Sequence, residues 1–319
     1  MIVERSFSEG LRLNGQPTGM GLARKSFSCG NCGAETLVEP DTPAFRCSFC
    51  GSDKVNEKAF DQRTIQPSGL LPFSIAKSKA LEQFQTWIGR GWFHPNDLQK
   101  LATLDKIHGV YVPFWTYDAH THSQWWAEAG YHYYETQSYT DANGNRQTRQ
   151  VQKTRWVPVN GHFGHFFDDV LVIGSQGINQ SRIEKIYPFD LKQVVNYDSH
   201  FLIGWEAEVY QRDVQQGFET AEGIMDRYIE REIIRQIPGD THRGLRIHTR
   251  KDHITFKHLL LPVWIAAYIY RSKSYQVVLN GQTGAISGEK PLSAWKIALA
   301  VIFGLVAILT IWYFVQGKG

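Results

Sequence analysis

Cysteine is nearly missing from this chain: there are four in 319 residues, all between positions 29 and 50. A disulfide framework spread through the molecule is thereby excluded. Methionine is scarcer still, at three, so no methionine-rich docking surface is available. Charge of one sign is not in excess either. Thirty-four Lys and Arg against 31 Asp and Glu leave +3, a balance that does not announce a protein built to coat nucleic acid. No GxxxxGK[ST] loop, GxSxG elbow or HExxH pair is present, which removes the usual signatures of nucleotide hydrolases, serine hydrolases and zinc proteases. The nearest approach to a phosphate loop, Gly284 to Gly288, is followed by Glu289 where lysine is needed. Met1–Ser6 leads into no apolar h-region, so no secretory signal is expected.

The four cysteines are arranged as Cys29-Gly30-Asn31-Cys32 and Cys47-Ser48-Phe49-Cys50, with fourteen residues between the pairs. Each CxxC turn aims two thiolates at one point, and two such knuckles complete a tetrahedral sulfur site. Such a site favours zinc, with iron as the rival metal and two disulfides as the competing reading. Four thiolates close the coordination sphere, so the expected role of one zinc per chain is structural. Free thiols also place the folded part in a reducing compartment.

A second feature is an uncharged run of nineteen residues, Ile297 to Val315. As a helix it measures about 28 Å, close to the hydrocarbon thickness of a bilayer. Trp295, Trp312 and Tyr313 stand at its borders, and Lys290 and Lys296 flank its N-terminal side. The expectation is a single-pass, tail-anchored protein at the cell membrane with its bulk cytosolic; the alternative is a buried core helix.

Read in order, residues 1–24 form a loose arm and 25–53 a zinc ribbon with strands at Glu35–Glu39 and Ala44–Arg46. A polar linker covers 54–69, and an α+β body covers 70–291 ahead of the anchor at 292–319. The fold class expected is α+β, with an antiparallel strand-rich body and a few helices. Helices are expected from Ser74 to Ile88, from Pro95 to Leu104 and from Val214 to Gln236. Strands are expected at 109–118, where Pro113 argues for an edge or bulge, and at 125–140 and 146–159 around a turn at Asp141–Asn145. Further strands are expected at 166–173, 201–210, 244–249, 254–270, 275–279 and 285–287. Val112-Pro113-Phe114-Trp115 echoes Leu261-Pro262-Val263-Trp264, and Trp126/Tyr131 share the spacing of Trp205/Tyr210, which raises a divergent duplication into two strand-rich halves.

The motifs CGNCGA, CSFCGS, LPF at 71–73, GVYVPFWTYD at 109–118, FLIGWEAEVY at 201–210, LPVWIAAYIY at 261–270 and NGQTGAISGEKP at 280–291 resemble a zinc-ribbon membrane protein family. Its members are often labelled primosomal protein N′-like or TFIIB-type zinc-ribbon proteins, and the resemblance runs from Ser28 onward. It implies a membrane-bound scaffold of phage-shock-like stress systems with PspA-like or flotillin-like partners.

Other candidate sites are weaker. Arg24–Lys54 carries four cations and four anions, so the ribbon is neutral. Basic segments at 146–155 and 243–257 could meet lipid headgroups or nucleic acid, or simply be solvated strand faces. His120 and His122 alternate with Asp118, and His162 and His165 lie near Asp168, as loose candidates for a second metal. The function expected is a non-enzymatic adaptor. A nucleic-acid-binding zinc-ribbon protein without helicase activity is the alternative.

Overall fold

The computed structural model describes all residues except 1, 17–18, 22–23, 43–44, 59–63, 99–106, 141, 143, 272 and 317–319. The expected second helix at 95–104, the turn at 141–145 and the strand at 44–46 fall partly outside the described residues.

The molecule is strand-rich α+β; its described residues form five α-helices beside a sheet of twelve strands, of which α3 (Gln180–Ile183), β8 (Val195–Asn196) and β12 (Ile286–Gly288) are short. Its centre is a pair of very long antiparallel strands, β6 (Ile107–Thr140) and β10 (Thr241–Tyr270). Stretches expected as separate strands are continuous here. β10 absorbs its interruptions as irregularities between Arg243 and Arg246 and between Asp252 and Thr255, and His253 takes a left-handed φ of 51° in the second. β7 (Arg146–Ile173) returns along β6, and β11 (Lys273–Asn280) returns along β10.

Two short strands complete the centre. β5 (Gly69–Leu70) runs parallel to β10, and β9 (Glu206–Val209) runs parallel to β6. After β5 comes helix α2 (Lys77–Gly89), and after β9 comes α4 (Val214–Gln236). The chain therefore contains a β–α–β–β unit twice, β5–α2–β6–β7 and β9–α4–β10–β11, and each unit lends its first strand to the other's long strand.

The two units also repeat a set of hydrogen bonds. Gly174 N donates to Pro113 O at 2.8 Å, and Gly281 N to Pro262 O at 2.9 Å. Gln211 N and Arg212 N both donate to Gly174 O, as Ser74 N and Ile75 N do to Gly281 O. The Trp115 indole donates to Arg212 O and the Trp264 indole to Ile75 O, each at 2.9 Å. Tyr210 meets Trp115 edge-on at 5.0 Å, and Phe73 meets Trp264 at 5.1 Å. The other sequence echo has no such counterpart: Trp126 and Tyr131 lie within β6, whereas Trp205 and Tyr210 flank β9.

Both prolines sit in central strands, contrary to the edge expected for Pro113. β7 stops pairing at Phe114 and β9 reaches only Tyr111, so Pro113 falls in the gap between two neighbours. Pro262 likewise lies just past the β11 ladder, which begins at Val263. A missing N–H costs little where one neighbour ends.

Helix α4 covers the inner face of β6, β7 and β10 through Ala221, Met225, Ile229 and Ile233, packed with Trp115, Tyr117 and Trp125. Its start is a capping box, in which Asp213 accepts from Gln216 N and Gln216 accepts from Asp213 N. Helix α2 buries Ala80, Phe84 and Ile88 against Trp264 and Tyr268.

The N-terminal arm is not loose. β1 (Arg5–Ser6) pairs with β10, Ser6 caps helix α1 (Phe7–Leu13), and Phe7 packs on Phe218 at 4.7 Å. Gly and polar residues hid this because the arm's apolar side chains find their partners on distant α4. Most of 201–210 is likewise not strand: Ser199–Leu202 is a 3-10 turn capped by Asp198, which leaves four residues for β9.

Candidate metal centre

The four cysteines come together on a three-stranded unit of β2 (Lys25–Cys29), β3 (Glu35–Val38) and β4 (Val55–Lys58). β4 lies in the stretch read as linker, so the unit extends past Asp53. The two knuckles share one design. Cys29 N donates to Ala34 O and Gly33 N to Cys29 O; Cys47 N donates to Ser52 O and Gly51 N to Cys47 O. Gly33 and Gly51 hold φ of 79° and 72°, a conformation that a side chain would strain.

All four sulfurs lie within 4.8 Å of one another. Cys29 Sγ is 3.6 Å from Cys50 Sγ, and Cys32 Sγ is 3.6 Å from Cys47 Sγ. A disulfide requires about 2.05 Å. Metal–sulfur bonds of about 2.3 Å in a tetrahedron place sulfurs about 3.8 Å apart, so these residues fit a tetrathiolate metal site. Hydrogen bonding to Cys32 and Cys50, with burial, pushes the Cys47 thiol well above its ordinary range. A cation among the sulfurs reverses that preference and holds them as thiolates.

The unit is joined to the body as one continuous sheet. β3 pairs with β9, and β9 with β6. Phe49, inside the second knuckle, is fully buried in a cluster with Val110, Phe114, Leu261 and Val278. Gln276 donates to Phe49 O at 2.7 Å, and Ser274 donates to Cys50 O at 2.7 Å. At the seam, Glu208 of β9 is fully buried and accepts from Ser175 at 2.6 Å; burial raises its carboxyl well above the ordinary range.

A cleft of about 560 Å³ opens beside the knuckle, lined by Phe45, Arg46, Ser48, His108, Trp205 and Glu206 among others. Ser48 donates to Glu206 Oε2 at 2.6 Å, and His108 Nδ1 lies 3.0 Å from Glu206 Oε1. The carboxylate stands between serine and histidine. A nucleophilic triad needs the imidazole between them, so this trio clamps the knuckle to β6 and β9 and does not activate Ser48. Sequence reasoning missed Glu206 and His108 because only pairing in space unites positions 48, 108 and 206.

The other histidine candidates are not assembled. His120 and His122 are exposed on the outer sheet face, while Asp118 is buried and accepts from Asp169 N and Thr255. His162 is exposed, and His165 instead packs on Tyr228. Asp118, Asp168 and Asp169 do cluster, but the Lys257 ammonium sits 2.6 Å from Asp169 and also pairs with Glu4.

Helix α5 (Ala294–Gln316) contains twenty residues, Ala294–Tyr313, with mean hydropathy 2.3, and only 6% of its most apolar window is buried. By length and composition it can cross a membrane. The other described residues leave it uncovered, unlike a core helix. Lys290 and Lys296, read as flanking charges, are engaged at home. Lys290 donates to Trp87 O and Arg90 O, and Lys296 to His94 O and Asn96 Oδ1.

Fold and site together define a strand-rich α+β protein with a tetracysteine cluster and, among the described residues, one apolar helix of membrane-spanning length. No family model matches the chain, and no solved structure matches it. It is similar to an uncharacterized protein of Bacillus subtilis (strain 168), YdjG: 27% identical over 325 residues, 86% of this chain and 92% of the relative.

Proposed function

We propose that this protein is a membrane-anchored, non-enzymatic adaptor whose tetracysteine unit holds one structural zinc through Cys29, Cys32, Cys47 and Cys50. Residues 297–315 form its single membrane span, the bulk of the chain faces the cytosol, and its partners are other membrane-associated proteins. The PspA-like and flotillin-like partners implied by the family resemblance fit this reading. The carrying observation is the combination of an uncovered apolar helix with a closed thiolate site built into the body's sheet. Zinc in such a site has no open position for substrate. Its work here is to hold Phe49 and the β2–β4 unit against the body.

The nucleic-acid alternative draws on an exposed sheet face bearing Trp126, Phe166 and Arg246. The basic segments lend it less than their composition suggests, because five of their nine cations sit in ion pairs, Lys153 in the first segment and Arg243, Arg250, Lys251 and Lys257 in the second. Arg243 meets Glu128, Arg250 meets Asp252, and Lys153 meets Glu135. Burial alone would lower the Lys251 ammonium, but Asp226 and Glu222 outweigh it and hold it raised. Each cation held by a carboxylate adds less to counterion displacement from phosphates.

The test is affinity purification of the full chain after mild detergent extraction, with metal analysis of the same sample. The reading expects zinc in a one-to-one ratio and co-purifying membrane-associated proteins, with no ATP hydrolysis. Recovery of nucleic acid with a steep salt dependence and no protein would reject the adaptor role in favour of the alternative.

A further inference from the structure

Helix α5 leaves the body through a joint without slack. Ser293 N donates to Phe93 O at 2.8 Å, and Ile297 N donates to Ser293 O as the first helical turn closes. His94 Nδ1 lies 2.8 Å from Pro291 O. The Lys296 ammonium, on a side chain buried with the rest of its residue, reaches His94 O at 2.9 Å and Asn96 Oδ1 at 2.6 Å. Residues 91–96 are thus tied to the level at which α5 begins. Gly91 allows this. Its φ is 106°, and a Cβ there would come within 2.5 Å of the His94 ring.

Large apolar side chains crowd this level. Trp92 is 61% exposed, Phe93 43%, Leu292 63% and Trp295 61%. Trp92 and Phe93 meet edge-on at 5.2 Å, so the two rings form one projecting unit. Nothing in the body's core calls for them, since α2 ends at Gly89 and buries Ile88 before the loop begins. Indole rings favour the zone between headgroups and acyl chains, where an apolar body and a polar N–H are both accommodated. Burial lowers the Lys290 ammonium and neighbouring Arg90 adds to this, while carbonyl oxygens accept hydrogen bonds from both lysines. Charge at the helix base is therefore delivered to the protein and not to bulk water, as suits a depth where water thins.

We infer that the Trp92–Phe93 loop is a second lipid contact, inserted into the bilayer interface beside α5, which holds the body in one fixed orientation on the membrane surface. The inference rests on α5 spanning the bilayer. A lipid occupant is favoured over a protein because the patch is continuous with the helix that lipid must surround. Hydrogen bonds from Ser293 N to Phe93 O and from the Lys296 ammonium to His94 O also tie the loop to the start of that helix, which leaves the body no free joint at which to swivel away.

The experiment uses the full chain in phosphatidylcholine vesicles made with or without lipid brominated near the headgroup end of its acyl chains. Emission of Trp92→Phe is subtracted from that of the unsubstituted protein to isolate Trp92. The same subtraction with Trp312→Phe reports the span, and with Trp126→Phe it reports the distant sheet face. Expected is Trp92 emission shifted to shorter wavelength, largely quenched by brominated lipid and shielded from aqueous acrylamide, with Trp126 behaving in the opposite way. If Trp312 is quenched by brominated lipid while Trp92 is quenched only by acrylamide, α5 spans the bilayer and the loop contact is wrong. If brominated lipid quenches neither, the membrane-spanning reading falls and the loop contact with it. A Phe93→Ser variant gives an independent arm: loss of the Trp92 shielding without loss of vesicle association is expected, and unchanged shielding counts against a shared inserted unit.

Discussion

Replacing Glu208 with glutamine should stabilise the protein, and by more as the pH rises. Glu208 is fully buried at the seam between the tetracysteine unit and the body, opposite Thr36 in the β3–β9 ladder. Its Oε1 accepts from Ser175, and its Oε2 finds no hydrogen-bond partner. Burial raises its pKa well above 4.5, so the folded protein keeps this carboxyl protonated where the unfolded chain ionises it. The sign follows from linkage. Below the unfolded value both states are protonated and stability is intact. As pH climbs from there toward the folded-state pKa, the unfolded chain sheds a proton that the fold retains, and stability falls by about 1.4 kcal/mol per pH unit. Two pH units within that window correspond to about 2.7 kcal/mol. Glutamine keeps the shape and an acceptor for Ser175 and does not titrate. Urea titrations followed by tryptophan emission in detergent, at several pH values from about 5 upward, read the difference between the two proteins. A Glu208→Gln advantage that grows with pH is expected. A difference that stays flat across this range would refute the assignment of a protonated, desolvated carboxyl.

Three further outcomes follow from the same geometry. Cys47→Ser should abolish metal binding, seen as loss of the thiolate-to-metal charge-transfer band of the cobalt-substituted protein. It should also destabilise the body, because freeing fully buried Phe49 forfeits about 1.5–3 kcal/mol. Ala76→Asp should raise stability by about 1 kcal/mol in thermal melts. Ala76 is the N-cap residue of α2, with the extended backbone that Asp213 uses at α4, but makes no side-chain cap. His258 is buried against Trp115, donates to Ile65 O through one ring nitrogen and leaves the other without a partner, and burial lowers its pKa to about 4. Charging it opposes folding, so stability should fall as pH drops from 6.5 toward about 4, by up to about 3.4 kcal/mol, and His258→Phe should flatten that fall in urea titrations.

The sequence disclosed what depends on near neighbours. The CxxC spacing alone brings Cys29, Cys32, Cys47 and Cys50 into one cluster, and an uncharged run announces α5. Helix α4 is readable from the 3.6-residue spacing of Phe218, Ala221, Met225 and Ile229, whereas its Asp213 cap emerges only in the structure. What stayed hidden depends on pairing across long separations. No local signal ties β3 to β9, 170 or so positions away. Phe49 reads as a turn residue until the body's cluster is seen around it. The lysines before α5 look like free flanking charges because the carbonyls that receive them belong to residues about 200 positions earlier. The echo of Pro113 and Pro262 was visible, but its meaning was not. In both cases the proline stands where one neighbouring strand ends, and the exchange of first strands between the two units leaves no trace in composition.

That exchange also governs the order of events during synthesis. Leu70 pairs with Leu260, so the first unit cannot seat its opening strand until 190 further residues have been made. At translation rates of about 5–20 residues per second this is a wait of roughly 10–40 s. In the second half of that interval, once β7 has been made, β6 has β7 beside it but lacks its other neighbour, and an unpaired edge of such length invites association with other chains. A protein wound in this way should fold late and all at once around its central strand pair, and should depend more than most on being shielded while its second half emerges.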